Sequence, residues 1–157
     1  MPADKIKEFL NEHDVQYSIV HHEETYTAQE TAKLTRIRGK KLAKTIIIRL
    51  DGIMSMAVLS ATHRIDFDRL RRVTGSSEVE LATEDEFEGI FPGCETGAMP
   101  PFGNLYGMDV LADKDLVEDE NIAFCAGSHK EIIMLTQKDF LRLVNPIVMD
   151  FTTKTQL

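Results

Sequence analysis

The chain has no tryptophan, only two cysteines and no long apolar run. Each shortage removes a class of protein. Cys94 and Cys125 stand 31 residues apart with neither a CxxC spacing nor a histidine-rich neighbourhood. A disulfide framework or a zinc site therefore has little support, and two ordinary reduced thiols are expected. No apolar stretch approaches the ~20 residues that a membrane span needs, and residues 1–14 are amphipathic and charged rather than signal-like. A cytoplasmic protein with no membrane partner is expected. The motifs GxxxxGK[ST], HExxH, GxSxG and GxGxxG are all missing, which takes away the usual evidence for nucleotide hydrolysis, zinc proteolysis, serine-triad chemistry and dinucleotide binding. His21 and His22 are adjacent in a strand-like stretch and so would point to opposite faces, a poor arrangement for ligating one metal.

What is present describes a folded protein. At 157 residues, 43% hydrophobic and 28% charged, the chain suits one domain (1–157) that buries roughly two thirds of its unfolded surface. The net charge of −8 is unevenly spread. Between residues 33 and 72 eleven cations face only Asp51, Asp66 and Asp68, a local excess of +8, while the remainder holds seven cations against twenty-three carboxylates. A basic face on an acidic body suits phosphate recognition and repels nonspecific contact elsewhere; a charge run also serves simply to keep a surface wet.

The local patterns predict helices and strands interspersed. Asp4 can cap a first helix carrying Ile6, Phe9, Leu10 and His13 on one side, followed by a strand at 17–20. Thr27-Ala28-Gln29-Glu30 reads as a capping box opening a second helix toward Leu34. Residues 44–50 form a β-branched strand, Asp51-Gly52 a two-residue hairpin turn, and residues 53–60 the returning strand. Asp66 caps a helix with Phe67, Leu70 and Val73 that stops at Gly75, and Thr83-Glu84-Asp85-Glu86 is a capping box for a helix ended by Gly89. Leu105 to Leu111 is expected as a strand, 122–126 and 131–135 as a strand pair, and a last helix runs from near Thr136 to before Pro146. Prominent hairpins favour an α/β fold of mixed α+β character: one domain with a mixed, hairpin-rich, twisted sheet flanked by helices.

Three segments can carry chemistry. Residues 92–107 hold four of the nine glycines and three of the five prolines. Glycine permits positive φ and close approach, while Pro100 and Pro101 stiffen the segment and remove two N–H donors; a structural Ω-loop would look the same. Lys44 stands near the start of an otherwise apolar strand, where its ammonium is either held facing a site or snorkels to solvent. Gly127-Ser128-His129 sits between two strands and offers a close backbone approach, a hydroxyl and an imidazole, although a plain turn also uses Gly and Ser.

In that order, these residues resemble the YbaK/ProX group of free-standing aminoacyl-tRNA deacylases, which are similar to the editing (insertion) domain of bacterial prolyl-tRNA synthetases. The motifs are Lys44-Thr45-Ile46-Ile47-Ile48, Gly97-Ala98-Met99-Pro100-Pro101-Phe102-Gly103 with its GxxxP core, and Ala126-Gly127-Ser128-His129 followed by residues 132–139. The resemblance spans nearly the whole chain and implies a hydrolase that clears mischarged aminoacyl-tRNA in trans. Lys44 would fix the phosphate or ribose of the acceptor end. Gly97 and Pro101, with Ala98, Met99, Pro100, Phe102 and Gly103, would surround the aminoacyl ester, and Gly127, Ser128 and His129 would line the side-chain pocket. Lys33, Arg36, Arg38, Lys40 and Lys41 would track the acceptor backbone. Neither a metal nor an organic cofactor is expected, nor DNA; an aminoacyl-tRNA synthetase is a further partner the resemblance admits. The paired prolines depart from members with a single proline, so no member's amino-acid specificity carries over.

An aminoacyl ester is already activated, so placed water and oxyanion donors suffice, one donor being worth ~10²- to 10³-fold. In this family the neighbouring ribose hydroxyl is thought to help activate water. His129 as general base is the competing expectation, since an ordinary imidazole titrates near neutrality. Two other functions fit the same residues: a tRNA- or synthetase-binding module that does not hydrolyse, and a hydrolase of other small esters or amides.

Overall fold

The computed structural model describes residues 2–22, 41–92, 94–95, 98–128 and 130–154. The expected helix at 27–34, and the candidate residues Lys33, Arg36, Arg38, Lys40, Gly97 and His129, lie outside them. The first helix, α1 (Pro2–Glu12), begins earlier than an Asp4 cap would allow and lays Ile6 and Leu10 into the core. His13 falls just beyond it, exposed, with Nδ1 2.8 Å from the Phe9 carbonyl. The strand β1 (Ser18–His21) follows.

The hairpin β2 (Leu42–Leu50) and β3 (Ile53–Ser60) is built as its turn residues require. Asp51 and Gly52 both have positive φ, 49° and 84°, the type I′ geometry that matches strand twist. Next come β4 (His63–Ile65) and α2 (Phe67–Thr74). Asp66 accepts from the Arg69 N–H at 3.1 Å to cap α2, and Gly75 ends it at φ 71°. Leu70 is buried as expected, whereas Val73 stays exposed. After β5 (Val79–Leu81) the capping box of Thr83 and Glu86 opens only a single turn, α3 (Glu84–Phe87).

The expected strand at 105–111 starts later. Gly103–Leu105 is a 3₁₀ turn in which the Gly103 carbonyl accepts from both Tyr106 and Met108, and β6 runs Asp109–Asp113. A Cβ on Gly103 would collide with the Met108 carbonyl, so close packing forces the turn there. The pair β7 (Asn121–Cys125) and β8 (Glu131–Thr136) forms as read, and α4 (Gln137–Val144) is capped by Thr136 and stopped by Asn145 in the left-handed region. Two short strands that the sequence reading did not contain close the described chain: β9 (Ile147–Met149) and β10 (Thr152–Lys154).

Among the described residues, eight strands make one mixed sheet in the order β1-β8-β7-β2-β3-β6-β9, with β5 also on β2; β10 and β4 form a separate pair. The pairs β2–β7, β3–β6 and β6–β9 are parallel and the rest antiparallel. Ala43 and Ile47 of β2 face the larger core, with Phe102, Phe124 and Phe140, on the side covered by α1 and α4. Leu42 and Ile48 face the other side, where Leu70 of α2 and Phe151 pack. The fold is thus the mixed, hairpin-rich sheet with flanking helices that the sequence implies. None of the described helices is long and apolar enough to cross a membrane.

Candidate functional site

The site begins with an interruption in the sheet. One edge of β2 is shared by two partners: Leu42 and Ala43 pair in parallel with Ala123 and Phe124, and Ile48 to Leu50 pair antiparallel with β5. Lys44 is the first residue past the β7 pairing, in the gap between the two ladders. By strand alternation its side chain leaves on the face of Leu42 and Ile48, opposite the larger core. It is half-buried, and burial holds its ammonium below the ordinary lysine pKa because the charged form loses hydration. Among the described residues no strand pairs with that edge at Lys44, and a desolvated cation there attracts an anionic or strongly polar group more strongly than it would in water.

The register carries β7 past Lys44 through Cys125 and Ala126 to Gly127. Gly127 has φ 99°, a conformation that glycine alone adopts without strain. Its backbone makes two bonds to the Gly/Pro loop: its N–H donates to the Ala98 carbonyl at 2.8 Å, and its carbonyl accepts from the Glu95 N–H at 2.8 Å. The loop also closes on itself, Ala98 N–H to the Glu95 carbonyl at 3.0 Å. Of residues 98–101, the two prolines have no N–H and that of Ala98 is engaged. Among the described residues, nothing accepts from the N–H of Met99. The Ser128 hydroxyl accepts from the Lys130 N–H at 3.2 Å, which fits a turn and leaves its own proton free to donate.

The structure therefore stitches Ala98, and with it Met99, Pro100 and Pro101, to Gly127 and Ser128, while Lys44 stands on the neighbouring strand one residue past its pairing with Phe124, its side chain on the face opposite the larger core that holds Met99. Ala98, Met99 and both prolines are buried, so this loop presents backbone more than side chain. Phe102 and Gly103 are placed differently. Phe102 is fully buried among Phe9, Phe124 and Phe140, with ring centroids 5.9, 5.3 and 6.0 Å away, and it anchors the loop's far end in the core. Lys41 is half-exposed just before β2.

Residues missed in the sequence flank the loop. Arg49 Nη2 lies 2.5 Å from Glu80 and Nη1 2.8 Å from Glu86, clamping α3 to the sheet. The backbone and side chain of Thr83 donate to Glu86, which together with Arg49 lowers its carboxyl pKa. The two thiols are both partly buried. Burial, helped by the Glu95 carboxylate, pushes Cys125 up to about 11, and burial also raises Cys94. Neither has the electropositive setting of a reactive cysteine.

Across the sheet, His63, Asp113 and Asp115 bring possible ligand atoms within 4.8 Å of one another. The Asp113 carboxylate is already well supplied with donors: Phe151 N–H at 3.1 Å, Asp115 N–H at 3.3 Å and the Thr152 hydroxyl at 2.8 Å. His63 Nδ1 sits 2.8 Å from the same hydroxyl, so the set works as a buried tie between β4, β6 and β10.

The scaffold is thus a mixed α/β sheet with a lysine at a split strand edge and a Gly/Pro loop stitched by backbone bonds to the turn after the neighbouring strand. Residues 22–143 match the model of the aminoacyl-tRNA editing domain, and the chain belongs to that family. It is 28% identical over 150 residues to the multifunctional Ser/Thr-tRNA deacylase ProXp-y of Escherichia coli (strain K12), covering 90% of this chain and 87% of that protein. It is 24% identical over 103 residues to the proline–tRNA ligase of Bacillus mycoides (strain KBAB4), covering 66% of this chain and 18% of the ligase. A solved structure of a proposed trans-editing enzyme for prolyl-tRNA synthetase superposes with a TM-score of 0.81 at 21% identity, over 99% of this chain and 98% of that one.

Proposed function

We propose that this chain is an aminoacyl-tRNA deacylase that hydrolyses the ester of mischarged tRNA in trans. The observation that supports the reading, beside family membership, is the pair of 2.8 Å bonds by which Gly127, just beyond the strand that pairs with β2, holds the loop at Glu95 and Ala98. Lys44 anchors the phosphate or ribose of the terminal nucleotide. Gly97 to Pro101 surround the ester, and Met99 supplies the unengaged N–H to the carbonyl oxygen as it becomes an oxyanion. Water then adds to the carbonyl carbon, the tetrahedral adduct expels the ribose oxygen, and that oxygen takes up a proton to leave free amino acid and tRNA. Gly127, Ser128 and His129 wall the amino-acid pocket. The basic face of Lys33, Arg36, Arg38, Lys40 and Lys41 carries the acceptor backbone, and the chemistry needs no metal or organic cofactor. The protein works in the cytoplasm, where charged tRNA is found.

The test is a panel of correctly and incorrectly charged tRNAs, with wild type compared to Lys44→Ala. Release of amino acid from a subset of mischarged tRNAs, lost in Lys44→Ala while the circular dichroism spectrum is kept, is the expected result. Binding without release would make the protein a recognition module instead. Equal hydrolysis of free aminoacyl esters would make it a general esterase, and an active Lys44→Ala would remove the lysine from the mechanism.

A further inference from the structure

Glu95 belongs to the stitch that holds the Gly/Pro loop, yet the mechanism above gives its carboxylate no task. Its N–H donates to the Gly127 carbonyl at 2.8 Å, and its own carbonyl accepts from the Ala98 N–H at 3.0 Å. The residue is thus fixed from both sides. Its side chain and that of Cys94, one residue earlier, part company there. Cys94 packs against the larger core beside Tyr106. The Glu95 carboxylate instead acts on the thiol of Cys125, which is kept protonated by burial first and by this negative charge second.

Register fixes the face on which Cys125 lies. Phe124 belongs to the larger core, whereas Cys125 stands opposite Ile132, which clusters with Leu42 on the other side of the sheet. Because Ala43 pairs with Phe124, one step along both strands makes Lys44 and Cys125 neighbours on that second face. A carboxylate is therefore within electrostatic reach of the residue beside the Lys44 ammonium. Among the described residues no carboxylate pairs with Lys44 itself.

Two opposite charges set out in this way suit a substrate with opposite charges at its two ends. An aminoacyl ester carries ribose and phosphate on the alcohol side of its carbonyl and, one carbon away on the acyl side, an α-ammonium. A carboxylate that holds this ammonium must adjoin the residues around the ester, and Glu95 stands two residues before Gly97 and is bonded to Ala98. Hydrogen bonds between ionised partners are the stronger ones, and partial exclusion of water strengthens them further.

We propose that Glu95 binds the α-ammonium of the aminoacyl group and thereby restricts the site to amino acids with a free amine, an assignment that rests on the deacylase reading above. Acylation of the amine removes the charge and adds bulk. A tRNA that carries an N-acylated amino acid or a peptide is then rejected.

The binding probe is an acceptor-stem RNA hairpin carrying alanine through a 3′-amide, which resists hydrolysis and whose methyl demands least of the side-chain pocket. Its N-acetyl form is the control. Wild type should bind the free amine about 10- to 100-fold more tightly, the range for a hydrogen bond to a charged group. Glu95→Gln should bind the two alike, and Glu95→Asp, which keeps the charge on a shorter stem, should retain part of the preference, as a merely structural side chain would not. N-acetylation of the mischarged tRNAs that wild type hydrolyses should lower kcat/KM by the same factor. No binding of the free amine, equal binding of the two probes by wild type, or a full preference in Glu95→Gln would overturn the assignment of Glu95, and deacylation of mischarged tRNA would stand. A preference abolished in Glu95→Gln, with no deacylation of any charged tRNA by wild type, would instead overturn the function and keep an ammonium site.

Discussion

Gly127 donates its backbone N–H to the carbonyl of Ala98 at 2.8 Å, so the turn between β7 and β8 sets the position of a loop nearly thirty residues upstream. The bond depends on a backbone at φ 99°, which an L side chain occupies only at a cost of roughly 1–2 kcal/mol. Gly127→Ala is expected to fold with a lowered Tm. Because misplacing a site by about 1 Å can cost ~10²-fold, kcat/KM for charged tRNA should fall by about that factor. Thermal melting together with deacylation kinetics checks both halves; wild-type turnover in this variant would uncouple the turn from the loop.

Lys44 sets function against stability. Burial disfavours its charged form, so its folded pKa lies below that of the unfolded chain, about 10.4 for an ordinary lysine. Between those two values the unfolded state binds more protons, and stability rises with pH. Below the folded value the full desolvation cost remains. Lys44→Met, which keeps the stem and removes the charge, should therefore melt higher than wild type at neutral pH and lose deacylation. The gap in Tm should close as pH approaches and passes 10.4. A variant that melts lower at neutral pH would mean the ammonium is well satisfied in the free protein.

How far the sequence foretold this arrangement depended on whether the signal was local. Asp51-Gly52, Asp66, Thr83-Glu86 and Thr136 act within a few residues, and the structure places a turn or cap at each. Lys44, Ala98 and Gly127 were legible as types, but that the strand of Lys44 lies beside the one leading to Gly127 depends on the parallel pairing of β2 with β7, which connects residues about eighty apart and leaves no periodic trace. The strand expected at 105–111 failed for a similar reason: the contact of Gly103 with the Met108 carbonyl is a packing constraint, invisible to strand propensity. β9 and β10 are three residues each and gain their order from neighbours, β10 through the Asp113–Thr152 tie. The clamp of Arg49 on Glu80 and Glu86 joins three elements and had no local signature at all.

Phe102 follows the two prolines directly and ends in the core, touching rings from α1, β7 and α4. Truncating a fully buried phenylalanine costs about 3–5 kcal/mol through lost transfer energy and the cavity left behind. Phe102→Ala should lower stability by that amount in urea unfolding. Phe102→Leu should recover much of it, and with it the deacylation that depends on a fixed loop. Activity lost in Phe102→Leu at near-wild-type stability would point to a direct substrate contact for the ring.

The basic segment and the acidic remainder make opposite demands on the substrate. Five cations, Lys33, Arg36, Arg38, Lys40 and Lys41, precede β2, and each phosphate they neutralise releases counterions, whose return at higher salt weakens binding. Five such contacts predict a loss of about 10²- to 10³-fold in affinity between 50 and 200 mM salt. At substrate concentrations far below KM, kcat/KM for charged tRNA should follow that loss. An aminoacyl ethyl ester, which has no phosphates, serves as the control: its slow hydrolysis should hardly change, because in the proposed mechanism the ester itself meets only backbone groups and one lysine. A flat response with charged tRNA would remove the basic segment from substrate binding, whereas an equal fall with the ethyl ester would place the salt effect at Lys44.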